Sequence, residues 1–144
     1  MLPDQLSPHF SYRELTRTDT GLANVPSLEQ GAELVRLADT ILEPMRELCG
    51  PLRVDSGFRS LAVNNAIPNS SHNSQHMLGQ AADVVPLMNL EMAFRFVKNS
   101  PIPFDQLIIE PNWLHASVAP LGATPRRQCL RAHLDGERKF YSPA

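Results

Sequence analysis

The sequence predicts an α+β domain, with helices packed on one side of a small, mainly antiparallel sheet and a cleft on the other. From Leu34 through Val35, Ala38, Ile41, Leu42 and Met45 to Leu48, apolar residues recur at helical spacing, as in a helix that buries one stripe. Phe104 to Glu110 and Trp113 to Val118 read instead as two strands of a hairpin joined by Pro111-Asn112. In the second strand Leu114, Ala116 and Val118 share one face, and Trp113, His115 and Ser117 share the other. The 13 prolines among 144 residues favour many turns and short elements. A chain of this length is expected to form a single domain, residues 1–144, that buries a core without disulfides or a structural metal.

Taken in order, Leu6 to Leu15 reads as a turn leading into a short helix, with Ser11 as its cap and Glu14 closing a capping box. Thr16 to Pro26 is polar and turn-rich. Ser27 and Gln30 form a second capping box ahead of the long helix, in which Pro44 predicts a kink or break near Leu42 to Pro44, and Gly50-Pro51 stops it. Leu52 to Asp55 is a short strand, Ser60 caps a helix from Leu61 to about Ala66, and Pro68 to Ser74 is a polar loop that delivers His76. Gln80 to Val85 follows as a strand, with Asp83 and Val85 on one face. Asn89 starts a helix that ends at Asn99-Ser100-Pro101. Beyond Pro120 the sequence alternates poorly, and Arg126, Arg127, Arg131, Arg138 and Lys139 read as a mildly basic, solvated surface.

Thirteen Lys and Arg against 15 Asp and Glu give a net charge of -2, which offers no general attraction to nucleic acid or anionic membrane. No apolar run approaches the roughly 18 residues of a membrane span. The stretch Met1-Leu2-Pro3-Asp4-Gln5 has neither the basic nor the apolar region of a secretory signal. Cys49 and Cys129 are expected as buried thiols rather than a disulfide framework.

The chemistry concentrates around Ser74 to Asp83. His76 and Asp83 stand seven positions apart, and His115 follows on the hairpin. Two imidazoles and one carboxylate form a catalytic zinc set, since three protein ligands leave the fourth tetrahedral position open, whereas a structural site is closed, usually by cysteines. With a two-residue loop, Glu110 pairs with Trp113 and lies diagonal to His115 on the same face, which suits a general base.

Three blocks of residues resemble the zinc D-Ala-D-Ala carboxypeptidases, peptidase M15-like enzymes that act on peptidoglycan: Ser56-Gly57-Phe58-Arg59-Ser60; Ser74-Gln75-His76 through Gly79, Ala81 and Asp83; and Trp113-Leu114-His115-Ala116-Ser117. The small, single-domain branch often encoded by bacteriophages is the most similar. The resemblance covers about residues 5–120 and leaves 121–144 as a C-terminal extension. It implies the fold shared by DD-peptidases and hedgehog proteins, one Zn2+ ion held by His76, Asp83 and His115, and a peptidoglycan stem peptide as substrate. It further implies that Arg59 contacts the substrate and steadies developing negative charge, and that Ser74 can contact the substrate. Trp113 is expected as part of the cleft wall. Several branches carry a catalytic glutamate three residues before the last histidine. Asn112 stands there in this chain, leaving Glu110 as the nearby carboxylate besides Asp105.

The expectation is therefore a zinc peptidase cutting stem peptides as a carboxypeptidase or endopeptidase in a phage lytic role. Such a protein would be made in the bacterial host cytoplasm, act on the wall after release or within a virion, and be monomeric by default. The alternative, favoured by Asn112, is a zinc-stabilised wall-binding or virion structural domain with little turnover; a third reading is a zinc hydrolase of the same fold acting on an unrelated small peptide.

Overall fold

Two capping boxes and one proline organise the helical half of the molecule. In the computed structural model, which describes residues 4–144, a two-stranded antiparallel ribbon of β1 (Gln5–Ser7) and β2 (Phe10–Ser11) leads into α1 (Tyr12–Thr16). Met1 to Pro3, part of the stretch read for a leader signal, lie outside the described residues. Ser11 and Glu14 form the expected reciprocal cap of α1, and Ser27 with Gln30 forms that of α2 (Leu28–Leu37). The ribbon itself was not anticipated, because Ser7-Pro8 reads as a turn without showing that its flanks pair.

The predicted kink takes the form of a π-helical turn, Ala38–Leu42, which runs without interruption into α3 (Glu43–Cys49). Glu43 N–H donates to the Ala38 carbonyl five residues back. Pro44 has no N–H to offer, so widening the helix one turn earlier accommodates it in the first turn of α3. Gly50, at φ 76°, ends α3 as expected.

The sheet comprises β3 (Leu52–Ser56), β4 (Ala81–Pro86), β5 (Phe104–Ile109), β6 (Leu114–Val118), β7 (Gln128–Asp135) and β8 (Arg138–Pro143), in the order β3-β4-β6-β5-β7-β8. All neighbours are antiparallel except β5 and β7. Helix α4 (Leu61–Ala66) follows β3, with Ser60 capping Val63 N–H, and α5 (Leu90–Lys98) follows β4, with Asn89 capping Met92 N–H. Leu34, Leu37, Ile41, Leu42 and Met45 pack fully buried in one core with Val84, Leu107, Leu114 and Ala116 of the sheet. Each such side chain contributes on the order of 1.5–3 kcal/mol relative to exposure. The helices thus cover one face and leave the other for the cleft. No helix among the described residues is long and apolar enough to cross a membrane.

The tail corrects the sequence reading most. Residues 128–143 form a hairpin that widens the sheet, and three of its basic side chains or near neighbours are ion-paired: Arg126 with Asp105, Arg131 with Glu91 and Lys139 with Glu110. Arg127 donates to the carbonyls of Lys98 and Ser100 and stacks over Phe104. Of the two thiols, Cys49 is buried as expected and Cys129 only half-buried.

Candidate metal centre and cleft

Strand register places the acidic and imidazole groups side by side. Asp83 pairs with His115 across β4 and β6, Ser56 pairs with Asp83 from β3, and Ile108 pairs with His115 from β5. Directly paired residues point to the same face of a sheet, so Asp83 and His115 both emerge opposite the helices.

His76 reaches the same point from a single 3-10 turn, Gln75–Leu78. Ser74 Oγ accepts from His76 N–H to start that turn, and Gly79, at φ 75°, ends it. A Cβ on Gly79 would lie 2.3 Å from the Gln30 carbonyl oxygen, so only glycine lets the turn sit this close to α2. Gln30 donates to the Met77 carbonyl, Gln80 to Glu33, and Gln75 to the Val118 carbonyl, tying the turn to helix and sheet alike. Gly57 makes the matching approach opposite, where a Cβ would lie 2.4 Å from Leu15 O. Phe58 N–H donates to that same carbonyl at 2.7 Å.

The ligand set converges. One donor atom from each of His76, Asp83 and His115 lies within 4.8 Å of the others. His76 Nδ1 lies 2.7 Å from the Gly57 carbonyl, which can only accept, so Nδ1 carries the proton and the lone pair sits on Nε2. Nε2 is 3.3 Å from Asp83 Oδ1, and His115 Nδ1 is 3.0 Å from the same oxygen. Burial pushes the His76 imidazole below its ordinary value, with Asp83 only partly opposing this, so it stays neutral as a metal ligand must. Burial alone would raise Asp83, yet its carboxyl is held well below the usual range, with His115 Nδ1 at 3.0 Å from Oδ1. A neutral imidazole with its tautomer fixed by a backbone carbonyl, a second imidazole and an ionised carboxylate fit a zinc ion.

Arg59 stands behind this set. Its Nη2 lies 3.0 Å from Asp83 Oδ2 and its Nε donates to Ser56 Oγ at 2.9 Å, while Nη1 is committed to neither. Burial pulls its guanidinium down and Asp83 opposes this. Asn24, in the turn-rich segment from Thr16 to Pro26, holds the Arg59 loop. Its Nδ2 donates to the Thr16 and Phe58 carbonyls, and its Oδ1 accepts from Ser60 N–H at 2.7 Å. Such side chain to backbone bridges leave no periodic signal.

Glu110 lies beyond the Ile109–Leu114 pair, and its N–H donates to the Trp113 carbonyl at 2.9 Å, so the hairpin closes with the expected register. Its side chain is buried. Lys139 Nζ lies 2.7 Å from Oε2 in an ion pair. Burial would lower the Lys139 ammonium, but Glu110 outweighs it and the net shift is upward. Asn112 is exposed in the turn, and Asp105 is bound by Arg126 through both carboxylate oxygens.

All seven side chains picked from the sequence (Arg59, Ser74, His76, Asp83, Glu110, Trp113 and His115) line one cleft of about 610 Å³. The loop at 67–75 forms one wall and the β7–β8 hairpin the other, through Leu130, Leu134, Lys139 and Tyr141. Ser74 both caps the His76 turn and faces this cleft. Among the other histidines, His72 is exposed, His9 pairs with Glu43, and His133 bonds Ser142.

An α+β scaffold that gathers two histidines and an aspartate on the open face of its sheet defines a metal-binding class of domain. The chain belongs to the peptidase M15 family, whose model matches residues 8–117. This is a family of zinc metallopeptidases. No curated protein matches the chain.

Proposed function

We propose that this protein hydrolyses peptide bonds in the stem peptides of peptidoglycan, as a D-Ala-D-Ala-type carboxypeptidase or an endopeptidase, in a phage lytic role. The observation that carries the reading is the His76, Asp83 and His115 cluster sharing one cleft with the buried carboxylate of Glu110. His76, Asp83 and His115 would hold one zinc ion, which supplies Lewis acidity toward the scissile carbonyl. Arg59 orients Asp83 through Oδ2 and presents its remaining guanidinium nitrogen to negative charge on the substrate, a role suited to a permanently charged planar donor. Glu110 takes a proton from the attacking water and returns it to the leaving amine nitrogen. Trp113 and Ser74 line the cleft where the peptide would lie.

The whole chain acts as one domain in this reading, made in the host cytoplasm and reaching the wall after release or within a virion. Mass spectrometry of products released from purified peptidoglycan tests it. A defined fragment released by wild type, absent with His76→Ala and released about 100-fold or more slowly with Glu110→Gln, supports the reading and names the bond. The second reading, a wall-binding domain that keeps zinc without turnover, is favoured by the exposed Asn112 in place of a glutamate. Tight binding to peptidoglycan with no product would select it.

A further inference from the structure

Charged groups around the cleft are paired off: Arg59 with Asp83, Arg126 with Asp105 and Lys139 with Glu110. The third pair joins two parts of the chain, because Glu110 lies inside the family-matched residues 8–117 and Lys139 lies on β8, outside them. The Lys139 ammonium also stands 5.4 Å from the centre of the Trp113 ring and 5.6 Å from that of Tyr141, close enough for both rings to attract it. Trp113 precedes β6 and Tyr141 lies on β8, so the charge is clamped between the family-matched part of the sheet and the tail hairpin. On the other side of the pair, the Glu110 side chain is only 5% exposed, and Oε2 has no hydrogen-bond partner among the described residues. A carboxylate buried that deeply depends on its one counter-charge, and removing one partner of such a pair leaves the other uncompensated.

We propose that Lys139 is a positioning residue for the reaction assigned above: its ammonium, clamped between Trp113 and Tyr141, holds Glu110 by Oε2 and leaves Oε1 to carry the proton. The inference rests on Glu110 being the base. As the water oxygen bonds the carbonyl carbon, Oε1 takes one proton; as the C–N bond breaks, that proton passes to the amine. Lys139 keeps all its protons throughout, so it acts only through Glu110. The β7–β8 hairpin thereby becomes part of the working site rather than an appendage.

The test is a double-mutant cycle on the zinc-loaded full chain, following product release from purified peptidoglycan, with zinc content measured on every protein. Lys139→Met is expected to keep its zinc and to lower kcat by about 10–100-fold while KM stays within about threefold, and Lys139→Arg to retain activity within about fivefold. In a Glu110→Gln background, Lys139→Met should cost less than about twofold more, because the group it acts through is gone. A merely structural or substrate-binding lysine would instead show the same loss in both backgrounds, and that result overturns the proposal. So does Lys139→Met activity within about twofold of wild type. Should Lys139→Met fail to fold, Lys139→Gln takes its place in the cycle and is read by the same criteria. Wild type that holds zinc yet releases nothing overturns the peptidase reading itself, an outcome distinct from additivity in an active enzyme.

Discussion

Gly79→Ala should damage zinc binding as well as stability, although residue 79 is not a ligand. Gly79 sits at φ 75°, where a side chain costs about 1–2 kcal/mol. Its Cβ would also meet the Gln30 carbonyl oxygen at 2.3 Å and the Gln30 carbonyl carbon at 3.2 Å, both backbone atoms of α2 that no rotamer change can move. Overpacking of this kind adds about 1–3 kcal/mol. Gly122 supplies the control, with φ 80° and nothing within 4 Å of the added Cβ, so alanine there carries the conformational cost alone. At about 2–4 °C per kcal/mol for a domain near this size, Gly122→Ala should lower the Tm of the metal-free protein by about 2–8 °C. Gly79→Ala should lower it by about 4–20 °C. The clash is relieved only by lifting the 75–79 turn off α2, and that moves His76. We therefore expect zinc affinity to fall by about tenfold or more in Gly79→Ala and to hold in Gly122→Ala, by analogy with losses seen when a ligand's supporting shell is disturbed. Calorimetry of the metal-free variants and zinc competition against a chromophoric chelator read the two effects. Equal Tm shifts with unchanged zinc affinity would refute the role given to this close approach.

Further predictions concern the pairs that hold the sheet and the loops around the site. Arg126 hydrogen bonds hold the buried Asp105 carboxyl below its ordinary value of 3.8, so the stabilisation is fully present above that pH and is lost as pH falls through the lower folded value. The urea midpoint of wild type should thus exceed that of Asp105→Asn at pH 7, with the gap narrowing below about pH 4; a gap that stays constant down to pH 3 would contradict the assignment. Asn24→Ala removes three hydrogen bonds at the Arg59 loop and should cost on the order of 1–3 kcal/mol in urea unfolding. An unchanged midpoint would show that the loop is held by other contacts.

What the sequence disclosed was local or strictly periodic. Ser11 with Glu14, Ser27 with Gln30 and Ser60 with Val63 N–H are caps closed within three residues, and each appears where the spacing put it. Period-two alternation placed His115 on the open face, and the seven-residue interval marked His76 and Asp83 as a pair, which remote contacts of the 75–79 turn with α2 and the sheet then bring together. The hairpin of residues 128–143 escaped because its pairing is remote. Parallel contact between β5 and β7 depends on a connection across residues 110–127, and β8 is an edge strand whose Arg138, Phe140 and Tyr141 are exposed, so no clean inside-outside alternation survives. Arginines and a lysine that look like surface charge in a linear reading find carboxylates at Glu91, Asp105 and Glu110 only once the sheet is assembled. Pro44 announced a disturbance but not its form, because a proline can be met by a break or by a widened turn.

Zinc K-edge absorption spectroscopy of the zinc-loaded protein, with metal content measured in parallel, tests the central claim most directly. One zinc per chain in a shell of nitrogen and oxygen at about 2.0–2.1 Å, lost in His76→Ala and in His115→Ala, is the result expected from ligation by His76, Asp83 and His115. A sulfur shell at about 2.3 Å, which would implicate Cys49 or Cys129, or zinc content unaffected by both substitutions, would contradict it.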